Sequence, residues 1–498
     1  MVHSPYGRRF PFSISLCRLW AARGYNVLIV STRGTFGSTG LFIPAVHEVA
    51  DSDRIVKWMR QQSWYTGTFG TFGISYLGYT QWALMDSDEP LEDYVAAVSI
   101  VGPHDFSDLL WGNGSLWLPS LDWAKNSTVI ESTNTLKSFY NLVTADPNGD
   151  IAVKKTVPLE DGAKKAVGVD THTYTWLHEW ISGSYSKIKG EGATEFWKSM
   201  NHTRALEKTK VPILLIGGWQ DIFTEAQTAQ WRRLNERGCT VALTMGAWNH
   251  MQAGQDMKEI HAWFDKYLGK KTDGEIREAP AKINVTGTNE WKWYPSWPPA
   301  TKPLELYLDL QGQLSKGIPD KTDEAQFTFD PHNPTPTFGG PLLFGGGYAD
   351  DTALAERPDV LAFTTSPLTE DIEIHGKPHI EVSHSSDNPH VDLFVRLSEV
   401  NSHGKSRNIC QAYRRLDPDR APAGQKVKIE LDLSDCAHHF KKGSAIRLLV
   451  AGGNFPHYAY NLGSGEGQAT GTTLRPARHT VYTGGSEGSK FVLPALDT

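Results

Sequence analysis

The chain has 498 residues, which is too long for a single hydrophobic core and indicates two or three domains. Charged residues make up 21% and hydrophobic residues 39% of the sequence, the balance of an ordinary globular protein. The formal net charge is −7 without any basic block, which argues against nucleic acid or an anionic membrane surface as the main partner. No apolar run approaches the ~18 residues of a membrane-spanning helix. We therefore expect a small-molecule partner, and the sequence leaves open whether the chain forms a homo-oligomer.

The cysteines are widely spaced and form no CxxC pair, so neither a disulfide framework nor a zinc site is indicated. They are Cys17, Cys239, Cys410 and Cys436. Free thiols are typical of a reducing compartment, and the first residues do not resemble a signal peptide. We therefore expect a cytoplasmic location, although a signal peptide lost with missing N-terminal residues stays open.

The first part of the chain and a later segment share an alternation of strand and helix patterns. Such alternation predicts a mostly parallel sheet covered by crossover helices, that is, an α/β core. We assign residues 1–102 and 206–270 to this core. Its predicted elements are strand 26–31, helix 48–62, strands 69–74 and 95–100, strand 211–217, helix 224–237, strand 240–245 and helix 256–268.

Two further regions differ from the core in pattern. Residues 103–205 lose the strand pattern and read as a helical cap insertion, with six tryptophans at positions 111, 117, 123, 176, 180 and 197. After a charged linker, residues 282–498 contain short strands separated by turn signals, which predict a C-terminal jelly-roll β-sandwich. Its strand candidates are 304–310, 377–383, 391–397, 427–433 and 445–451.

One serine lies in a sequence typical of a nucleophile elbow. Ser75 follows the strand candidate 69–74, precedes a plausible helix over 77–86, and has glycines at positions 73 and 78. Small neighbours are needed in such a turn, because it holds the serine at strained dihedral angles with its hydroxyl exposed above the sheet. Ser486 also lies between glycines, but in a polar turn with no histidine after it. Ser75 is therefore the candidate nucleophile.

An acid and a histidine follow the next two strand candidates. Asp221 comes after strand 211–217, and His250 comes after strand 240–245. Taken singly, Asp221 could cap the helix that follows and His250 could be structural. Their occurrence in the order Ser75, Asp221, His250 matches an α/β hydrolase and favours a catalytic triad. Such a triad cleaves acyl esters or amides and needs neither a metal ion nor an organic cofactor.

Several short segments carry a family resemblance that covers nearly the whole chain. They are SPYG at 4–7, TRG at 32–34, GISYLGYTQW at 73–82, GWQD at 218–221, GAWNH at 246–250, Trp291, WPP at 297–299, DLFVRL at 392–397 and GGNFP at 452–456. With these segments the sequence resembles the cocaine-esterase and X-Pro dipeptidyl-peptidase family, which includes the α-amino-acid ester hydrolases. The resemblance implies an α/β-hydrolase core, a helical cap and a C-terminal jelly roll of the galactose-binding-like type.

The resemblance also implies an oxyanion hole. In this family the tyrosine of the SPYG-like segment, here Tyr6, donates its hydroxyl to the oxyanion beside the backbone N–H of the residue after the serine, here Tyr76. The alternative is that Tyr6 is a packed aromatic of a turn.

The position of the SPYG segment is a departure from the family. The family places several strands before this segment, whereas here it begins at Ser4, and only five core strands are predicted. Missing edge strands would expose unpaired backbone groups. We therefore expect either that N-terminal strands are absent from this sequence or that the chain is an inactive truncated relative that acts only as a binding module.

The elbow sequence and the tryptophans favour a carboxylesterase of the cocaine-esterase type with an apolar acyl pocket. As pocket residues we expect Trp82, Trp111, Trp117 and Asp105, although most tryptophans in a helical cap are core residues. An X-Pro dipeptidyl-peptidase or an α-amino-acid ester hydrolase is the alternative. Either would pair a substrate ammonium with carboxylates, for which Asp105, Asp108 and Asp122 are the candidates unless they are solvated or cap helices.

Overall fold

The computed structural model describes residues 1–8, 12–132, 150–169, 171–189, 192–254, 257–269 and 277–496. The helices are α1 (Phe12–Ala21), α2 (Glu48–Arg60), α3 (Tyr76–Met85), α4 (Phe106–Trp111), α5 (Pro119–Ser132), α6 (Ile151–Lys154), α7 (Leu159–Val167), α8 (His172–Ile181), α9 (Tyr185–Ile188), α10 (Glu195–Lys198), α11 (Thr203–Lys208), α12 (Thr224–Glu236), α13 (Met257–Tyr267) and α14 (Thr352–Ala355). Among the described residues, no helix is both long enough and apolar enough to cross a membrane.

The core strands are β1 (Val2–Ser4), β2 (Ile29–Ser31), β3 (Phe69–Ile74), β4 (Tyr94–Ile100), β5 (Ile213–Gln220), β6 (Val241–Asn249), β7 (Ala281–Val285) and β8 (Glu290–Tyr294). Strands β3 to β8 form a six-stranded sheet in sequential order, parallel except for the antiparallel pair of β7 and β8. Strand β5 is buried along its whole length, as expected for a central parallel strand covered by helices on both faces. The predicted α/β core is confirmed.

A short parallel pair, β1 with β2, lies beside β3. A backbone hydrogen bond from the Phe72 N–H to the Met1 carbonyl (3.2 Å) links this pair to β3. Within the pair, the Val2 N–H donates to the Leu28 carbonyl at 2.8 Å. The described residues thus contain eight core strands, three more than the sequence pattern indicates. The expectation about strands ahead of Ser4 stays a prediction.

Strands β7 and β8 differ from the sequence-based division of the chain. Most of their residues lie in the range 282–498, which the sequence pattern assigns to the C-terminal sandwich, yet β7 pairs in parallel with β6 and extends the core sheet. Their alternation is typical of an antiparallel hairpin, which in sequence looks like the sandwich strands that follow.

Helices α4 to α11 lie between β4 and β5 and form the cap. Their packing depends on large aromatic side chains: Trp176, Trp180 and Trp197 are buried in one cluster that also contains Tyr76. Within this helical region, Asp122 and the buried Lys154 form an ion pair. The predicted helical insertion is confirmed.

The remaining strands form a β-sandwich. One sheet has nine strands and the other has four, and a buried hydrophobic core lies between them. The strands are β9 (Lys302–Leu308), β10 (Leu314–Ser315), β11 (Asp323–Phe329), β12 (Val360–Thr364), β13 (Ile372–Gly376), β14 (His379–Ser386), β15 (Asp392–Val400), β16 (Ser406–Arg415), β17 (Val427–Asp432), β18 (Cys436–Phe440), β19 (Ala445–Ala451), β20 (Ala477–Thr483) and β21 (Lys490–Ala495). The predicted C-terminal β-rich domain is confirmed.

Candidate active site

Ser75 stands at the sharp turn between β3 and α3. Its backbone has φ +59° and ψ −122°, a sparsely populated conformation for a residue with a side chain. The glycines on either side are required by close backbone approach: a Cβ on Gly73 would lie 2.1 Å from the Leu77 carbonyl oxygen, and one on Gly78 would lie 2.6 Å from the Gly102 Cα. The turn therefore has the geometry predicted from the sequence, with Ser75 at its apex.

His250 and Asp221 lie at the same edge of the sheet as Ser75. Asp221 directly follows β5 and His250 directly follows β6, and the carboxyl ends of parallel strands share one edge. The His250 Nε2 atom is 3.0 Å from the Ser75 Oγ, and its Nδ1 atom is 2.6 Å from the Asp221 Oδ2. The structure thus brings together the three side chains that the sequence analysis paired, although they lie far apart in the chain.

The environment of Asp221 assigns the histidine tautomer. The Asp221 side chain is buried, and its Oδ1 accepts the Phe223 N–H at 2.7 Å. Because its Oδ2 faces the His250 Nδ1, the neutral ring carries its proton on Nδ1 and leaves Nε2 as an acceptor. The Ser75 hydroxyl can then donate to Nε2, which is the arrangement a general base needs.

Tyr6 and Tyr76 are connected to each other through Trp123. The Tyr6 oxygen accepts the Trp123 indole N–H at 3.1 Å, and the Trp123 ring stacks on the Tyr76 ring at 6.0 Å between centroids. Burial raises the pKa of Tyr6 to about 12, so its hydroxyl is protonated at neutral pH. Tyr76 is the first residue of α3, where a backbone N–H has no acceptor within the helix and is available to a ligand.

The Tyr76 side chain is fixed by two buried groups. Its hydroxyl donates to the Glu48 carboxylate and accepts the Ala45 N–H at 2.7 Å. Burial raises the pKa of Glu48 to about 7. No local signal in the sequence distinguishes Glu48 or Trp123. Glu48 is the first residue of a predicted helix, and Trp123 is one of six tryptophans in the predicted cap.

A cavity of about 300 Å³ lies where core, cap and sandwich meet. Asp105 and Trp117 line it, together with Asp221 and Phe223, whereas Ser75 is not among its lining residues. Two other expected pocket residues lie elsewhere. Trp82, a residue of α3, is fully buried in the core, and the buried Trp111 donates its indole N–H to the Trp180 carbonyl at 2.8 Å. Their placement does not support a role in an open pocket.

The three candidate carboxylates for a substrate ammonium all have protein partners. Asp105 caps α4 by accepting the Asp108 N–H, and it also accepts the Asn201 amide at 2.7 Å. Asp108 pairs with Lys189 at 2.6 Å, and the Asp122 carboxylate pairs with Lys154. The surroundings of these carboxylates therefore fit helix capping and ion pairing, the alternative to binding a substrate ammonium. No group of three side chains suited to a metal ion occurs in the described part of the chain.

Side chains of the core next to Asp221 and His250 are bonded to the sandwich. The Gln220 amide donates to the Ile409 carbonyl at 2.6 Å, and its oxygen accepts the Asn408 amide at 2.9 Å. The Asn249 amide donates to the Gly346 carbonyl at 2.7 Å. Each of these two core residues precedes a member of the Ser75–His250–Asp221 arrangement, so the sandwich supports both turns.

A strained serine above a mostly parallel sheet, paired with a histidine and a buried carboxylate, defines a serine hydrolase of the α/β type. Residues 1–252 match the family model described as X-Pro dipeptidyl-peptidase (S15 family), and residues 275–491 match the X-Pro dipeptidyl-peptidase C-terminal non-catalytic domain. The chain therefore belongs to the S15 family of serine hydrolases.

Two relatives of known name are similar in sequence to this chain over most of their length. The chain is 25% identical to cocaine esterase of Rhodococcus sp. (strain MB1 Bresler), covering 95% of this chain and 88% of that protein. It is 20% identical to a putative serine esterase of Mycobacterium bovis, covering 89% of this chain and 80% of that protein.

Solved structures give the same picture of the fold. An aminopeptidase from a marine sediment Thaumarchaeota archaeon superposes with a TM-score of 0.81 at 19% identity, covering 100% of this chain and 91% of that one. An α-amino acid ester hydrolase superposes with a TM-score of 0.80 at 20% identity, covering 99% of this chain and 91% of that one.

Proposed function

We propose that the protein is a carboxylesterase that hydrolyses small acyl esters through an acyl-enzyme on Ser75. The observation that supports this proposal is the hydrogen-bonded series from Ser75 Oγ to His250 Nε2 (3.0 Å) and from His250 Nδ1 to Asp221 (2.6 Å), with the serine at a strained elbow. A serine hydroxyl is a weak nucleophile until an adjacent base accepts its proton, and this geometry supplies the base.

The reaction has two steps. His250 takes the Ser75 proton as the oxygen attacks the acyl carbon, and Asp221 stabilises the imidazolium that forms. The Tyr6 hydroxyl and the Tyr76 N–H donate to the oxyanion of the tetrahedral intermediate. His250 then protonates the leaving alcohol, and water activated by the same histidine releases the acid. No metal ion or organic cofactor takes part in this scheme.

The preference for esters over dipeptides rests on the carboxylates. A dipeptidyl-peptidase or an amino-acid ester hydrolase must neutralise the substrate ammonium, because a buried unpaired charge costs several kcal/mol. Asp105, Asp108 and Asp122 are already bonded to protein groups. Similarity to cocaine esterase also favours an ester, while the S15 family name keeps the X-Pro dipeptidyl-peptidase as the second candidate.

A fluorophosphonate probe should label the protein at Ser75 and nowhere else, because Ser75 stands at a strained elbow and has a histidine base at 3.0 Å that is itself oriented by a buried carboxylate. The measurement is peptide mapping of the labelled protein by mass spectrometry. A Ser75→Ala variant should lose the label, and the control Ser486→Ala, which removes the serine of the glycine-rich turn at 484–488, should keep it. Labelling that survives Ser75→Ala would reject the nucleophile assignment.

An aromatic acyl ester should be turned over faster than a Gly-Pro anilide, and acetylating the amino group of the anilide should change kcat/KM little. Both substrates use the same triad, so the comparison reports on the pocket. A dipeptidyl-peptidase would instead lose at least ~10²-fold in kcat/KM on acetylation, because a carboxylate that binds the ammonium would be left unpaired. A preference for the free-amine anilide that is lost in an Asp105→Asn, Asp108→Asn or Asp122→Asn variant would establish the second candidate.

A further inference from the structure

The contact between Trp123 and Tyr6 has a fixed direction. An indole N–H can only donate a hydrogen bond, so in the 3.1 Å contact the Tyr6 oxygen is the acceptor. The phenol hydrogen must therefore point away from Trp123. Within the residues that the structure describes, no protein group accepts it.

The position of Trp123 is itself constrained by aromatic packing. Its ring stacks on Tyr76 at 6.0 Å with 6° between the planes and on Trp180 at 5.7 Å with 26°. The Phe42 ring also packs against Trp123, with 6.3 Å between the ring centroids. Tyr76 is fixed in turn by Glu48 and by the Ala45 N–H. The indole N–H is thus held by the same cluster that holds the residue after Ser75.

We infer that Trp123 is a positioning residue for the oxyanion hole, which orients the Tyr6 hydroxyl so that its hydrogen is directed at the oxyanion. This inference rests on the proposed function, in which Tyr6 donates to that oxyanion. Without the indole N–H the phenol can rotate about its C–O bond, and part of its population presents a lone pair to the oxyanion instead of the hydrogen. Accepting the indole bond also polarises the phenolic O–H and strengthens it as a donor.

The inference predicts a loss of activity that depends on Tyr6. Trp123→Phe removes the N–H and keeps an aromatic ring, and it should lower kcat about tenfold while KM changes less than about twofold. In a Tyr6→Phe background the same substitution should change kcat less than about twofold, because the group that it orients is gone. The measurement is a double-mutant cycle of kcat and KM on one aromatic acyl ester.

A matched control comes from a buried indole on α13, where the Trp263 ring contacts the Tyr267 ring. The Trp263 Nε1 atom is buried, and the structure gives it no hydrogen-bond partner among the described residues. Trp263→Phe therefore makes the same chemical change away from the Trp123–Tyr6 pair and should leave kcat within about twofold of the parent. Trp123→Leu, which also lacks the N–H, should repeat the non-additive loss and covers the case in which Trp123→Phe does not fold.

Three results would overturn the inference. If Trp123→Phe reduces kcat equally in both backgrounds, it acts by packing and not through Tyr6. If it leaves kcat unchanged in the parent, the hydrogen bond has no catalytic consequence. If Tyr6→Phe alone has the parental kcat, both the inference and the oxyanion role of Tyr6 fail, whereas the fluorophosphonate label on Ser75 would still test the nucleophile separately.

Discussion

An Asp221→Asn variant should fold normally and lose about 10⁴-fold in kcat. The carboxylate accepts the His250 Nδ1–H at 2.6 Å in a buried site, so water cannot take over as the acceptor. An asparagine amide in this position can keep the Phe223 N–H bond with its oxygen while its NH₂ group faces Nδ1. The ring would then carry its proton on Nε2, and Ser75 would lose its base.

The measurement for Asp221→Asn is kcat together with the thermal unfolding midpoint. A second buried aspartate–histidine pair provides the matched control, since the Asp86 Oδ2 lies 2.9 Å from the His202 Nδ1. Asp86→Asn should leave kcat within about threefold of the parent, because this pair has no role in the proposed proton transfer. A loss of less than about tenfold in Asp221→Asn would show that Asp221 does not set the tautomer of His250.

A Tyr6→Phe variant should lose about 10²–10³-fold in kcat with little change in KM. The hydroxyl is proposed to bond the oxyanion, which exists only in the transition state and the tetrahedral intermediate, so substrate binding should not depend on it. Because burial raises the pKa of Tyr6 to about 12, the donor stays protonated as pH rises through neutrality and above. The ionisation of Tyr6 should therefore cause no loss of activity between pH 7 and about pH 10.

Steady-state kinetics across this pH range check the prediction for Tyr6. Tyr25→Phe is the control, since the Tyr25 hydroxyl is also in the N-terminal part of the chain but donates to Asp265 at 2.8 Å. This variant should keep the parental kcat. A Tyr6→Phe enzyme within about threefold of the parent would make Tyr6 a packing residue.

The parts of the site that could be predicted are those with a local cause. The elbow needs glycines close to Ser75, and both Asp221 and His250 directly follow buried strands, so each of the three residues lies in a recognisable local sequence pattern. Contacts between residues that are distant in the chain have no such local pattern. The bond between Trp123 and Tyr6 joins residues 117 positions apart, and it depends on how the cap packs against the turn after β1.

The pocket residues and the missed strands show two further limits. Helix α3 is buried on every side, so Trp82 has no polar face around it that would distinguish a core position from a pocket. Strand β1 has only three residues, Val2–Ser4, which is too short for a period-2 pattern to be recognised. Its identity depends on the pairing with β2 and on the backbone bond from Phe72 in β3 to Met1, which only the folded chain provides.

The amide contacts at Gln220 and Asn249 have a consequence for how this chain can diverge. The C-terminal domain, described for its family as non-catalytic, supplies the Asn408 side chain and the Ile409 carbonyl that bind the residue before Asp221. A chimaera that combines the core of one relative with the sandwich of another would not keep these hydrogen bonds. We expect the alignment of Asp221 with His250 to be lost first in such a chimaera. Core and sandwich are therefore expected to be inherited together and to change in a correlated manner at these contacts.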